Sequence, residues 1–152
     1  MRIYLDHCAY NRPFDDQRNV RNQLETTAKL YIQSQIKLGI YELAWSYMSD
    51  FENSGNPNEV NKKSVQQWEH IAKYICKPSD NILTRGKEIE KHNIRPKDAL
   101  HISCAIESQC DYFITTDKGL TNKIIDKIII MNPINFVQVM EAKNDDGNGF
   151  ES

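Results

Sequence analysis

The sequence predicts an α/β fold, a three-layer α/β/α arrangement around a central parallel sheet. Three observations predict it. A short β-type run, a long amphipathic helical stretch and a second β-type run open the chain in the order of a parallel βαβ unit. Acidic residues recur just after strand-like runs or in first helical turns, where such a fold brings strand ends and helix starts together. The length of 152 residues and the 39 % apolar content suit one hydrophobic core and one domain.

The elements follow in order. Ile3-Tyr4-Leu5 lies in an apolar run too short for a helix and bounded by polar residues, which reads as a central strand over Arg2–Leu5. After the turn at Asn11-Arg12-Pro13, the pair Asp15-Asp16 offers an N-cap. Val20, Leu24, Ala28, Tyr31, Ile32 and Ile36 then recur at helical spacing up to the stop at Gly39. Residues 40–46 read as the next strand, 47–53 as a short helix, and the cluster Ser54-Gly55-Asn56-Pro57-Asn58 as a break. Helical spacing returns over 59–75 through Val60, Val65, Trp68, Ile71 and Ile75, and a further helix over 80–92 follows Pro78. Pro96 suits a first helical position, and the apolar residues behind it predict a buried helix over Pro96–Glu107. Residues 111–116 read as a strand, 117–125 as a short helix and 128–131 as a last strand before the Asn132-Pro133 turn. The domain is set at residues 1–141. Residues 142–152 form a flexible C-terminal tail on this reading, because the stretch is polar and contains glycine.

Nineteen basic against 21 acidic residues give a net charge of −2, which supplies no global attraction for a polyanion. A nucleic-acid partner therefore needs a local patch or a bound cation. Cys8, Cys76, Cys104 and Cys110 form no CxxC pair, and no signal peptide or long apolar stretch is evident. The expectation is a cytoplasmic protein with reduced thiols and no membrane partner.

Four acids carry the functional argument. Asp6 follows the first strand, Glu52 lies one helical turn past the second, Asp98 opens the apolar helix and Asp117 ends the third strand. Singly, Asp117 suits a helix cap, Asp98 a dipole-favoured first turn and Glu52 a solvated helix face. Asp6 is harder to dismiss, since an acid continuing a buried strand needs a partner. Together they predict a carboxylate pocket with no side-chain cation at its centre. Two carboxylates about 4 Å apart repel by roughly 4 kcal/mol at an effective dielectric near 20, so such a group requires protons or cations. Hard oxygen ligands suit Mg²⁺ or Mn²⁺, and the chemistry they suggest is phosphodiester hydrolysis.

The set Ile3-Tyr4-Leu5-Asp6, Ser46 with Glu52, Asp98-Ala99-Leu100-His101 and Ile114-Thr115-Thr116-Asp117-Lys118 resembles a PIN domain over residues 1 to about 140. The resemblance implies a Mg²⁺- or Mn²⁺-dependent endoribonuclease, possible membership of a toxin–antitoxin pair with an antitoxin partner, and a possible homodimer. It implies that Asp6, Glu52, Asp98 and Asp117 are the catalytic and metal-binding acids, with Asp50 a rival to Glu52. It also implies that Thr115 or Thr116 supplies a supporting hydroxyl. His7-Cys8 departs from the small polar residues that commonly follow the first aspartate. His101, three residues after Asp98, is expected to orient that aspartate, contribute a ligand or pack as a structural histidine. Arg12, Arg95, Lys97 and Lys118 flank the acids and are candidates for RNA phosphates. The alternative is a PIN-fold nucleic-acid or protein-binding module with little or no catalysis.

Overall fold

A computed structural model describes residues 1–149. Five strands, β1 (Arg2–Leu5), β2 (Glu42–Ser46), β3 (Tyr74–Cys76), β4 (Tyr112–Ile114) and β5 (Ile129–Met131), form one sheet in the order β3-β2-β1-β4-β5. Every pairing is parallel, with Ile3 opposite both Leu43 and Tyr112. The expected α/β/α architecture is present.

Alternation along the strands divides the core in two. Tyr4, Ala44, Cys76, Phe113 and Ile130 point to one face, where they pack on Met48, Ile82, Ile89, Ala99, Ile102 and Ala105. Those partners come from α3 (Tyr47–Ser54), α6 (Asp80–Glu90) and α7 (Pro96–Glu107). Ile3, Leu5, Leu43, Trp45, Tyr112 and Ile114 point to the other face. There they meet α1 (His7–Asn11), α2 (Val20–Lys37), α4 (Glu59–Gln66), α5 (Trp68–Ile71) and α9 (Pro133–Gly149) through Tyr10, Ile32, Ile36, Val65, Trp68, Phe136 and Met140. A short helix α8 (Lys118–Thr121) follows β4.

Helix α2 begins later than expected. Asn19 caps it by accepting from the Asn22 N–H at 3.1 Å, while Asp16 is drawn into the loop by Arg18. It ends at Gly39, whose φ of +79° is the left-handed conformation of a C-terminal cap. The N–H of Ile40 there reaches back to the Gln35 carbonyl.

Two elements correct the expectation. The helix expected over 59–75 breaks into α4 and α5, and Tyr74–Cys76 instead forms the edge strand β3 beside β2. Two of its three residues are exposed, so no two-residue alternation marked it. Asn132-Pro133 is a helix start rather than a turn. The Asn132 Oδ1 accepts from the Ile134 N–H at 2.8 Å, Pro133 takes the first position, and α9 runs to Gly149. The helix thus crosses residues 142–149 of the segment expected as a tail, and residues 150–152 lie outside the described ones.

All four cysteines are free thiols. No helix among the described residues is long and apolar enough to cross a membrane.

Candidate active site

Strand order reverses at β1, because the chain steps to β2 on one side and later to β4 on the other. Loops leaving the carboxyl ends of β1 and β4 therefore diverge and leave a crevice. Asp6, Glu52, Asp98 and Asp117 all line that crevice, a cleft of about 300 Å³. The four segments expected to converge do so.

Asp6 is 5 % exposed, and three donors hold it. Its Oδ1 accepts from the His7 N–H at 2.8 Å, which caps α1. Its Oδ2 accepts from Thr115 Oγ1 at 2.9 Å and from Cys8 Sγ at 3.4 Å. Burial, followed by the charge on Asp6, pushes the Cys8 thiol up to about 12, so it remains a protonated donor. Thr115 also accepts from the Asp117 N–H at 3.1 Å and so couples the first acid to the last. Of the two threonines, Thr115 makes this contact. Thr116 Oγ1 is buried with no hydrogen-bond partner although Thr116 lines the cleft.

Glu52 sits at the end of a buried relay. Its Oε1 lies 2.8 Å from His101 Nε2, and His101 Nδ1 lies 2.6 Å from the Tyr4 hydroxyl. Tyr4 in turn meets Ser46 Oγ at 2.6 Å and Ser49 Oγ at 3.2 Å. An ionised carboxylate only accepts, so Nε2 carries the imidazole proton and Nδ1 accepts from Tyr4. Burial raises Tyr4 well above the ordinary phenol range and keeps its proton in place. His101 therefore orients Glu52 rather than Asp98, and its Nε2, carrying the proton, has no free lone pair to offer a cation. Glu52 itself feels burial, which favours protonation, but the hydrogen bond from His101 and then the charge of Lys97 outweigh it and lower its pKa.

Asp50 has a different role from the one considered for it. It accepts from Trp45 Nε1 at 2.9 Å and Gln66 Nε2 at 2.8 Å, tying β2 and α3 to α4. It does not line the cleft.

Side-chain cations stand at the rim of the pocket rather than at its centre. Arg95 is bound to Asp98 at 3.2 Å and reaches Asp117 at 3.6 Å, while Lys97 approaches Glu52 to 3.5 Å. Pro96 explains the placement: it starts α7 immediately after Arg95 and puts Asp98 in the first turn, one turn from the arginine. Arg95 remains 79 % exposed, so this compensation is held at the mouth of the cleft. Asp98 is still raised in pKa, first by burial and then by Asp6, against the opposing pull of Arg95. Asp117 both caps α8, through the Gly119 N–H at 2.8 Å, and faces Arg95.

The remaining basic candidates differ. Arg12 lines the cleft, but its guanidinium pairs with Asp15 at 2.7 Å and with the fully buried Glu25 at 3.1 Å. Its charge is compensated within the chain. Lys118 is exposed and lies outside the cleft lining. His7 is held neutral by burial, against the pull of Glu52 and Asp6, and its Nε2 accepts from Asn11 Nδ2 at 2.7 Å. Sequence reasoning missed the part played by Tyr4. Its strand neighbours are all apolar, and nothing local marks its hydroxyl as the link between Ser46 and His101.

The donor set suits a hard cation. One oxygen each of Asp6 and Glu52, together with a ring nitrogen of His101, lie within 4.8 Å of one another. Because Nε2 is protonated toward Glu52, the two carboxylates are the available ligands of that trio.

Comparison with known proteins agrees with this geometry. The family model described as PIN domain matches residues 3–124. No curated protein matches the sequence. Among solved structures, the chain is similar to the crystal structure of VapBC2 from Rickettsia felis bound to a DNA fragment from their promoter. The TM-score is 0.54 at 16 % identity, covering 87 % of this chain and 98 % of that one. At that identity the likeness is one of fold.

Proposed function

The chain belongs to the PIN domain family, and from that premise we propose that it is a metal-dependent endoribonuclease that hydrolyses RNA phosphodiester bonds. The observation that carries the reading is the meeting of four acids, spread from residue 6 to residue 117, in one cleft at the switch point of the sheet. Asp6, Glu52, Asp98 and Asp117 would hold the cation. The unpartnered Thr116 hydroxyl and the raised pKa of Asp98 support a site that takes a further positive group. A bound Mg²⁺ or Mn²⁺ supplies Lewis acidity, which makes water a better nucleophile and offsets charge gathering on the phosphate.

The chain's own residues do the rest. Thr115, His7 and Cys8 fix both oxygens of Asp6 in place. The Tyr4–His101 relay keeps Glu52 ionised and aimed. Arg95 and Lys97, both largely exposed at the rim, would be placed to meet phosphates on either side of the reacting bond once a cation neutralised their carboxylates. The fold shared with VapBC2 supports a toxin–antitoxin role with an antitoxin partner.

A second reading has one observation in its favour. Arg95 and Lys97 compensate the acids without any metal, as a binding module of this fold would require. One experiment separates the two: pooled RNA incubated with purified protein in Mn²⁺, in EDTA, and with Asp98→Asn. Asp98 is the better choice than Asp6, which accepts from three donors and would present an amide N–H₂ to them as asparagine. Cleavage that needs both the metal and Asp98 supports the nuclease. Intact RNA in every lane, from antitoxin-free protein, favours the binding module.

A further inference from the structure

Beyond the acidic cleft, a second cavity of about 220 Å³ opens between α2 and the α4–α5 segment, floored by Tyr10 of α1. Its chemistry is one-sided. Lys29 is 5 % exposed on α2, has no carboxylate within ion-pair distance among the described residues and lies 5.9 Å from the centre of the Tyr10 ring. The Tyr10 hydroxyl, on a side chain 2 % exposed, has no hydrogen-bond partner among the described residues. Gln33, one turn along α2 from Lys29, is 5 % exposed and its Nε2 is likewise unpartnered. Lys37, a further turn along, lies over the Trp68 ring at 5.3 Å and lines the same cavity. No aspartate or glutamate lines it.

Buried donors without acceptors are rare in folded proteins, and two on one cavity wall, the Tyr10 hydroxyl and Gln33 Nε2, beside an uncompensated ammonium need a common explanation. One group satisfies all of them at once, an anion with several acceptor oxygens. We propose that the cavity walled by Lys29, Tyr10, Gln33 and Lys37 binds a phosphate group. A tetrahedral oxyanion offers an acceptor to each donor and supplies the countercharge that Lys29 lacks. The i, i+4, i+8 spacing of Lys29, Gln33 and Lys37 sets all three on one face of α2. Burial alone pulls Lys29 down to about 7, which is the behaviour of an ammonium lacking its partner. The site shares no acid with the catalytic cleft, and the inference stands whether or not the chain is a nuclease.

The phosphate could be a free ion or the end of a nucleic-acid strand. Calorimetric titration of the full chain in EDTA, at constant ionic strength, distinguishes them. The probes are inorganic phosphate, a short 5′-phosphorylated oligonucleotide and the same oligonucleotide without its terminal phosphate. Wild-type protein is expected to bind phosphate saturably. Lys29→Met should weaken it by at least about tenfold and Tyr10→Phe by about threefold to tenfold. Neither change adds bulk or charge, and Tyr10→Phe keeps a folded test available if the first variant does not express. Equal binding of phosphate and phosphorylated oligonucleotide assigns the site to a free anion. Tighter binding of the phosphorylated strand alone, lost in Lys29→Met, assigns it to a strand end. No saturable phosphate binding to wild type, or binding unchanged in both variants, overturns the proposal.

Discussion

Replacing Tyr4 by phenylalanine isolates the relay behind Glu52. The ring stays, and with it the stack on Phe113 at 5.4 Å between centroids. What is lost is a hydroxyl making two contacts of 2.6 Å and one of 3.2 Å in a fully buried position. Ser46 Oγ keeps its two backbone donors at Met48 and Ser49, so its loss is close to one ordinary hydrogen bond, about 1 kcal/mol. His101 Nδ1 has no other donor, and a buried acceptor left empty costs about 1–3 kcal/mol. The sum is roughly 2–4 kcal/mol, which for a chain of this size lowers the melting temperature by roughly 4–16 °C. Thermal unfolding followed by far-ultraviolet circular dichroism measures it. In the same variant His101 is free to turn, so RNA cleavage should fall by more than the loss of folded protein explains. A melting point within about 1 °C of wild type would refute the relay, because it would mean that the hydroxyl contributes nothing net.

Other outcomes follow from the ion pairs. Glu25→Gln removes the buried countercharge of Arg12 and Arg21 and should cost about 3 kcal/mol, read as a lower urea midpoint with unchanged slope. Arg95→Gln should tighten Mn²⁺ binding about twofold to fivefold in a calorimetric titration, since a rim cation no longer competes for Asp98 and Asp117. Lys29→Met should stabilise the protein, and the effect should depend on pH. The folded pKa of about 7 lies below the ordinary 10.5, so between them the unfolded chain binds the extra proton. Wild-type stability therefore gains as pH rises from about 7 towards 10.5, and the advantage of the variant, about 5 kcal/mol below pH 7, shrinks over that window. Urea unfolding of both proteins at several pH values tests this, and a gap independent of pH would place the Lys29 ammonium in solvent.

The acids were legible in the sequence because strand ends and helix starts carry local marks. Asp6 follows an apolar run, Pro96 announces the helix that holds Asp98, and Asp117 caps α8 as its position suggested. The choice of Glu52 over Asp50 was not legible. Both lie on α3, and only the packing of α4 decides that Asp50 turns to Trp45 and Gln66. Arg95 was expected to meet RNA, but its position one helical turn before Asp98 makes an intramolecular pair equally natural. Tyr4 hid among apolar residues, since a buried hydroxyl is defined by partners 42 and 97 residues away. The edge strand β3 and helix α9 were missed for opposite reasons: too little burial to produce alternation in the first, and a capping asparagine with proline read as a turn in the second.

The bond between Thr115 and Asp6 spans 109 residues. During synthesis, Asp6 leaves the ribosome well before the hydroxyl that fixes it and the β4 strand beside it. At about 5–20 residues per second, the interval is roughly 5–20 s. Through that time the growing chain holds Asp6 without its Thr115 anchor and without Asp117. The four-acid cleft therefore cannot assemble piecemeal: it is completed in one event, when β4 docks beside β1.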